Sequence, residues 1–162
     1  MHKEYIFQYE EITDFKLLSN LEFQLFQKAI DIAKSAYAPY SKFNVGVALL
    51  LENNEIITGS NQENVSFPCG ICAERVALFA AKSKYPTLTI EKIVITASSQ
   101  NFELDSPVGP CGICRQVLIE YENNQNKDIE IFLFDTKKII KLAKAKDLLP
   151  FHFKEDRLKK IK

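Results

Sequence analysis

The stretch FNVGVALLLENNEIITGS, residues 43–60, decides the fold. Residues 43–51 are mostly apolar and predict a strand. The polar turn Glu52–Glu55 leads into a second predicted strand over residues 55–60. Two strands joined by so short a turn form an antiparallel hairpin. We therefore expect a sheet that begins with this hairpin.

Helices and further strands are predicted on both sides of the hairpin. Ser19 and Glu22 match a capping box, so a helix is expected to begin there. It should end near Ala38, because Pro39 disfavours helical geometry in the residue before it. The segments after the hairpin predict a helix over 72–85, a central strand over 90–97, a helix over 111–122, strands over 129–134 and 139–142, and a helical turn ending at Pro150. This order predicts an α/β fold, a three-layer α/β/α sandwich with one mixed sheet.

Length and composition favour an ordinary globular chain. The 162 residues suit a single domain, 1–162, in which residues 1–18 form an N-terminal extension. Lys plus Arg number 21 and Asp plus Glu number 21, so we expect neither a nucleic-acid nor a membrane partner. The basic residues Arg157, Lys159, Lys160 and Lys162 are predicted to be a solvated end.

The expected compartment is the cytoplasm. The first residues contain no apolar stretch long enough for a signal peptide, and no run has the length of a membrane helix. In a reducing compartment, four cysteines in close pairs favour metal binding or chemistry over disulfides.

The two cysteine pairs, Cys69 with Cys72 and Cys111 with Cys114, have metal-ligand spacing. Four thiolates would make a closed structural zinc site, whereas three would leave a position for water and make a catalytic one. Glu74 follows Cys72 by two residues. Together with the Pro-Cys-x-x-Cys of the second pair, it is similar to the signature of zinc nucleobase deaminases, with Cys replacing His as first ligand. We therefore expect one Zn²⁺ per subunit, held by Cys72, Cys111 and Cys114 at helix N-termini that stabilise thiolates.

Two residues beside these cysteines are predicted to take part in the chemistry. Glu74 is the expected general acid/base, which takes a proton from the attacking water, protonates the pyrimidine ring nitrogen and passes a proton to the departing ammonia. Three thiolates leave the zinc site with an excess negative charge, and Arg75 is predicted to offset it by donating to the sulfurs. The alternatives are a first-turn helix glutamate for Glu74 and a surface or structural arginine for Arg75.

The ordered motifs resemble the cytidine deaminase family, in its small homotetrameric form. The resemblance covers about residues 30–153 and rests on the motifs Tyr40-Ser41-Lys42-Phe43, Asn61-Gln62-Glu63-Asn64, Cys72-Ala73-Glu74-Arg75, Pro110-Cys111-Gly112-Ile113-Cys114-Arg115-Gln116 and Leu148-Leu149-Pro150. It implies zinc-dependent hydrolytic deamination of cytidine and deoxycytidine to uridine and deoxyuridine, a step of pyrimidine salvage.

The resemblance also implies roles for residues that bind the nucleoside. Asn61 and Glu63 match residues that hydrogen-bond the ribose hydroxyl, and Phe43 matches an aromatic residue near the sugar and base. Phe153 matches an aromatic residue that a neighbouring subunit places over the base, so a homotetramer with shared active sites is implied. Many members have Gly-Pro after that Phe, whereas this chain has Lys154-Glu155. Each of the four could instead be ordinary packing or a solvated turn.

Three other functions remain as alternatives. The first is a deaminase of bases within RNA or DNA, which the neutral net charge disfavours. The second is a deaminase of a modified cytosine nucleoside. The third is a non-catalytic binding module stabilised by a four-cysteine zinc site, in which Cys69 would be a ligand.

Overall fold

The residues that the structure describes form one six-stranded mixed sheet with three α-helices. The structure is a computed structural model that describes residues 1–159, so Lys160 and Lys162 of the predicted solvated end lie outside it. The strands are β1 (Glu10–Ile12), β2 (Phe43–Leu51), β3 (Ile56–Ser60), β4 (Ile90–Ser99), β5 (Glu130–Phe134) and β6 (Ile139–Leu142), and the helices are α1 (Asn20–Ala33), α2 (Ala73–Lys84) and α3 (Gly112–Gln125). The strand order is β1-β6-β5-β4-β2-β3. Strands β4 and β5 are parallel, and the other neighbouring pairs are antiparallel.

The helices cover both faces of this sheet, which confirms the predicted three-layer sandwich. Successive side chains of β2 and β4 point to opposite faces. On one face Leu50 and Val94 pack with Leu25 and Phe26 of α1. On the other face, the core against α2 and α3 contains Val47, Leu49, Leu51, Ile93, Ile95, Leu78 and Leu118. Strand β4 is therefore the central, doubly covered strand that its composition predicted.

Helix α1 begins as predicted but ends five residues earlier. The capping box is present: the Ser19 hydroxyl accepts from the Glu22 backbone N–H, and the Glu22 carboxylate accepts from the Ser19 N–H. The expected end near Ala38 is wrong, because α1 ends at Ala33. The next turn is closed by tighter i to i+3 bonds, and the Tyr37 N–H then donates to the Asn61 carbonyl. Because this hydrogen bond joins Tyr37 to the end of the hairpin, the chain leaves the helix before it reaches Pro39.

The N-terminal extension contains a strand that the sequence did not predict. Residues Glu10–Ile12 pair antiparallel with β6 and form the edge of the sheet. The Tyr5 hydroxyl donates to the Lys146 carbonyl, so the extension also contacts the 3₁₀ turn Ala145–Leu148. That turn is the predicted helical turn before Pro150.

The sheet brings the N-termini of α2 and α3 together, because both helices lie on the same face. Gly59 in β3 permits the close approach of α2. A Cβ atom on Gly59 would lie 2.6 Å from the Ala77 backbone nitrogen, a separation that real Cβ atoms do not show. Within residues 1–159, no helix combines the length and the apolar character needed to cross a membrane.

Candidate metal centre and active site

Three cysteine sulfurs meet where α2 and α3 begin. Cys72 is the N-cap of α2, Cys111 is the N-cap of α3, and Cys114 lies in the first turn of α3. The Cys72 and Cys111 sulfurs are 3.8 Å apart, and those of Cys111 and Cys114 are 3.5 Å apart. All three lie within 4.8 Å of one another. Neither N-cap sulfur makes a capping hydrogen bond to the backbone of its own helix, so both are available to the cluster and leave the free helix amides near it.

Cys69 stands apart from this cluster. It ends the 3₁₀ turn Phe67–Cys69, and its side chain is exposed. Among the described residues, the group of sulfurs close enough to share a metal ion comprises Cys72, Cys111 and Cys114 without Cys69. Three donors are the protein ligand set of a catalytic zinc site. The geometry therefore disfavours the closed four-cysteine alternative.

The thiols of Cys72 and Cys114 influence each other's ionisation. Hydrogen bonding from Cys114, assisted by the Arg75 guanidinium, lowers the pKa of Cys72 to about 5. The same bond to Cys72, together with burial, raises the pKa of Cys114. Like-charge repulsion thus opposes simultaneous ionisation of neighbouring thiols. A divalent cation among the sulfurs removes this repulsion, so the donor set fits Zn²⁺, which prefers thiolate ligands.

Glu74 is a buried acid next to the cluster. It is the second residue of α2 and only 5% exposed. Burial raises the pKa of its carboxyl group, and the negative charge of Cys72 acts in the same direction, whereas a hydrogen bond with Cys114 opposes the rise. A raised pKa makes the carboxyl group a better proton acceptor than an ordinary glutamate, as a general acid/base requires. A glutamate that only interacts with the start of the helix has no need to be buried. The burial of Glu74 therefore disfavours the alternative of a first-turn helix glutamate without a catalytic role.

Arg75 contacts the cysteine cluster. Its Nη2 atom lies 4.0 Å from the Cys72 sulfur, within the range of a hydrogen bond to sulfur. The side chain is partly buried. The guanidinium thus lies where it can offset the negative charge of the thiolates, which is the position expected of the predicted charge-balancing arginine.

Asn61 and Glu63 lie beside the metal centre, on a segment that is bonded along both edges. On one edge Gln62 exchanges two backbone hydrogen bonds with Ile71, the residue before Cys72. On the other, Tyr37 donates to the Asn61 carbonyl and accepts from the Glu63 N–H. The segment therefore runs directly alongside the start of α2.

The side chains of Asn61 and Glu63 already bond to the chain itself. Asn61 accepts from the Val45 N–H at 2.8 Å and donates to the Phe43 carbonyl at 2.9 Å. Glu63 accepts from the Tyr40 N–H at 2.9 Å and from the Ser41 N–H at 3.3 Å. The Ser41 hydroxyl also bonds to Glu63 and lowers the pKa of its carboxyl group. The amide retains one N–H and the carboxylate retains lone pairs, so both can still bind a hydroxyl group.

The two predicted aromatic residues lie apart from each other. Phe43 is half-buried and stacks on Phe102, with ring centroids 6.2 Å apart. Phe153 is 70% exposed and lines a groove of about 600 Å³ beside α3. A separate pocket of about 410 Å³ is lined by Tyr40, Ser41, Glu63, Asn64, Phe67 and Gly70 and contains no cysteine.

Sequence reasoning missed three residues that hold these elements. Ser41 fixes Glu63, and Phe102 covers Phe43. Gln116 holds the backbone of Phe153 through two hydrogen bonds. Ser41 and Gln116 lie inside the motifs that carry the family resemblance. Their position close to predicted site residues could therefore have indicated a role for them. Phe102 lies in a loop without any motif.

Paired helix N-termini that present three thiols, with a buried glutamate beside them, define a zinc-dependent hydrolytic enzyme on an α/β sandwich. Residues 19–126 match the family described as the cytidine and deoxycytidylate deaminase zinc-binding region. The chain belongs to this family.

Individual relatives agree with this assignment. A cytidine deaminase of Halalkalibacterium halodurans is 37% identical over 129 residues, which cover 80% of this chain and 91% of that protein. One of Sporosarcina psychrophila is 39% identical over 124 residues, 76% of this chain and 85% of the relative. The crystal structure of a Burkholderia pseudomallei cytidine deaminase matches with a TM-score of 0.71 and 33% identity, over 84% of this chain and all of that one (100%).

Proposed function

We propose that this protein hydrolyses the exocyclic amine of cytidine and deoxycytidine and releases ammonia, as a step of pyrimidine salvage. The observation that carries the proposal is the buried Glu74 carboxyl group beside three clustered sulfurs. The names of the relatives, which are cytidine deaminases, support the choice of substrate. A modified cytosine nucleoside as substrate has no specific support in the site.

In this proposal Cys72, Cys111 and Cys114 hold the zinc ion. When bound there, zinc supplies Lewis-acid activation of the attacking water. The amides at the starts of α2 and α3 stabilise the thiolates, because the positive ends of both helix dipoles point at the sulfurs. Arg75 offsets part of the remaining negative charge through its contact with Cys72.

Glu74 carries the protons. Its carboxylate accepts a proton from the attacking water, and the carboxyl group then protonates the ring nitrogen next to the amine. The hydroxide formed from water adds to the carbon that bears the amine. Its remaining proton then passes through Glu74 to the amine nitrogen, and the carbon–nitrogen bond breaks to release ammonia as the carbonyl forms. Such a positioned proton carrier typically contributes roughly 10²–10⁴-fold in rate.

The remaining predicted residues bind the nucleoside. Asn61 and Glu63 offer their unused hydrogen-bonding capacity to the ribose hydroxyl, from a segment that runs beside Cys72. Phe43, which is held by Phe102, forms an apolar wall near the sugar and base. These are free-nucleoside contacts, and they disfavour a substrate within a nucleic acid strand.

We further propose a homotetramer in which subunits share active sites. Large apolar side chains are exposed on residues 65–67, which precede the cysteine motif of α2 in the chain, and on residues 151–153, whose end bonds to α3, and a surface of this kind indicates an interface. The most exposed of them are Val65 (79%), Phe67 (74%), Phe151 (99%) and Phe153 (70%). Phe153 is proposed to cover the base in the site of a neighbouring subunit. A cytoplasmic location suits thiols that must stay reduced to bind the metal.

The direct test is an ultraviolet assay for conversion of cytidine to uridine by the purified protein. We expect turnover that is lost with a zinc chelator and regained on addition of Zn²⁺. Oligonucleotides that contain cytosine should not be deaminated. Failure of the zinc-loaded protein to convert either cytidine or deoxycytidine would contradict the proposal.

Shared sites are tested by subunit complementation. Glu74→Gln and Phe153→Ala damage different halves of the proposed site, so mixed tetramers of the two variants contain some sites with both halves intact. We expect co-expression to give a higher kcat/KM than either variant alone, with a tetramer mass by light scattering. Purely additive activities would argue that each chain builds its whole site.

A further inference from the structure

The backbone of Phe153 is held by one side chain of the metal-bearing helix. The Gln116 Nε2 atom donates to the Phe153 carbonyl at 2.9 Å. The Phe153 N–H donates to the Gln116 Oε1 atom at 3.0 Å. Gln116 follows Cys114 by two residues in α3. A single amide thus satisfies both backbone groups of Phe153, as a neighbouring strand would.

The start of the same segment is held by the preceding residue of α3. Arg115 donates to the Leu148 carbonyl at 3.0 Å through Nη1. Its Nε atom donates to the Pro110 carbonyl at 2.7 Å, directly before the Cys111 ligand position. Consecutive residues of α3 therefore attach both ends of residues 148–153 to the helix that carries two of the three clustered cysteines.

The segment between these attachments is under conformational constraint. Phe151 has a φ of 56°, in the left-handed region that non-glycine residues rarely adopt. Such a conformation persists where the surroundings determine it. The Phe151 side chain is 99% exposed, so the constraint comes from the backbone attachments on either side and not from burial of its ring.

The ring of Phe153 depends on this attachment for its position. It is 70% exposed and lines the groove of about 600 Å³ together with Gln116, Phe79 and Tyr121. A ring so open to solvent is not fixed by core packing. Its location is set by the backbone that carries it, and that backbone is bonded to Gln116.

We propose that Gln116 is a positioning residue for substrate binding: it fixes the Phe153 ring relative to the metal-bearing helix. This inference rests on the proposed function, in which Phe153 covers the base in the site of a neighbouring subunit, so the position of the ring on its own α3 decides how it meets that site. Loss of Gln116 should then weaken nucleoside binding through Phe153 while the metal ligands remain in place.

The chain offers a matched control on the same helix. Gln125, near the other end of α3, also bonds to both backbone groups of one residue: it accepts from the Ile90 N–H at 2.9 Å and donates to the Ile90 carbonyl at 2.8 Å. Ile90 begins β4 and lies in the core. Gln125→Met therefore removes the same kind of attachment without touching the segment that carries Phe153.

The experiment compares Gln116→Met with Gln125→Met in the zinc-loaded enzyme. We expect Gln116→Met to raise the KM for cytidine about tenfold, about 1.4 kcal/mol, with little change in kcat, because a contact made equally in ground and transition states is lost. Gln125→Met should lower the melting temperature and leave KM unchanged. Gln116→Glu, which keeps the acceptor for the Phe153 N–H, should give an intermediate KM.

A readout without turnover accompanies the kinetics. Amide hydrogen exchange across residues 149–158 should accelerate in Gln116→Met and stay as in the wild type in Gln125→Met. In the Phe153→Ala background, Gln116→Met should add no further loss of kcat/KM, because the two residues act through one contact.

These measurements separate the inference from the proposed function. An unchanged KM in Gln116→Met, or a fully additive loss in the Phe153→Ala background, would overturn the positioning role while wild-type turnover of cytidine stands. A wild-type enzyme without cytidine turnover would overturn the proposed function, whereas the exchange measurement would still report whether Gln116 holds the segment.

Discussion

The metal centre and the substrate rim of this molecule are built in different ways. We call metal centre the proposed zinc-binding and catalytic group Cys72, Cys111, Cys114, Glu74 and Arg75, and substrate rim the proposed nucleoside-binding group Phe43, Asn61, Glu63 and Phe153. The metal centre lies at the starts of two helices that share one face of the sheet, and its acid is buried. The rim lies on loops and strand ends, where its groups bond to the backbone or to another ring.

This difference between the metal centre and the rim indicates which parts of the proposed active site a single chain supplies. The metal centre brings its donors and its acid together within a single subunit. The rim provides polar groups beside the metal and leaves its C-terminal aromatic residue exposed on a different groove. Substitutions of the clustered cysteines or of Glu74 should therefore abolish or nearly abolish function, whereas those of Arg75 and of the rim should weaken it by degrees.

The largest expected effect is loss of the metal. Cys114→Ser removes a donor from the cluster, so we expect bound zinc to fall from about one ion per chain to nearly none, together with activity. The matched control is Cys69→Ser, on the exposed cysteine outside the cluster, which should keep both. Elemental analysis of the purified variants measures the metal. Loss of zinc in Cys69→Ser would instead favour the four-cysteine site.

Removing the acid should separate chemistry from metal binding. Glu74→Gln keeps the size of the side chain but cannot accept a proton, so we expect kcat to fall roughly 10²–10⁴-fold, about 3–5 kcal/mol of barrier. Zinc content should stay as in the wild type. Glu55→Gln, at an exposed position in the hairpin turn, is the control and should be neutral. Substantial turnover by Glu74→Gln would exclude this residue as the proton carrier.

The contrast between the two regions also explains what the sequence could predict. The metal centre was accessible because its information is local: a Cys-x-x-Cys pair and a Cys-x-Glu step each lie within one helical turn. The strands β2 and β4 were accessible because each contains a run of apolar residues, β-branched in β4, which favours a covered sheet.

Elements that depend on distant contacts were missed. Strand β1 has three residues and no alternation of its own, and it exists because β6 offers an open edge. The end of α1 was misplaced because Tyr37 bonds to Asn61, which is remote in sequence. The stacking of Phe43 on Phe102 joins a strand to a loop without a motif. In each case the residue that determines the structure is too distant in the sequence to fall within the short window in which periodicity is read.

Arg75 contacts a cysteine of the metal centre without being a metal ligand itself. Its substitution should therefore have a smaller effect than that of a cysteine or of Glu74. Arg75→Gln removes the cation beside the Cys72 sulfur, so we expect zinc affinity to weaken by about 10–100-fold, the usual result for a partner of a metal ligand. Arg75→Lys should recover part of it by restoring the charge. Arg157→Gln, on an arginine whose side chain is 87% exposed, serves as the control. Competition with a chelator of known affinity measures the change, and equal affinities for Arg75→Gln and wild type would remove the role.

The smallest effect is expected at the rim, and it tests whether Glu63 acts on substrate or only on its own loop. Glu63 bonds to Tyr40 and Ser41, so Glu63→Gln could raise KM simply by loosening that loop. We expect KM for cytidine to rise about tenfold at similar kcat, because a hydrogen bond from a hydroxyl to a charged group is worth about 1.5–3 kcal/mol.

The two possible causes of a higher KM can be separated with a substrate that lacks the 2′ and 3′ hydroxyl groups of the sugar. If Glu63 binds the ribose, the wild type should lose affinity for 2′,3′-dideoxycytidine, and Glu63→Gln should handle that analogue nearly as well as the wild type does. If Glu63 only holds the loop, the substitution should weaken cytidine and dideoxycytidine equally. We expect zinc content to be unaffected in either case, because Glu63 is not a metal ligand. The result therefore assigns Glu63 either to recognition of the sugar or to support of the loop.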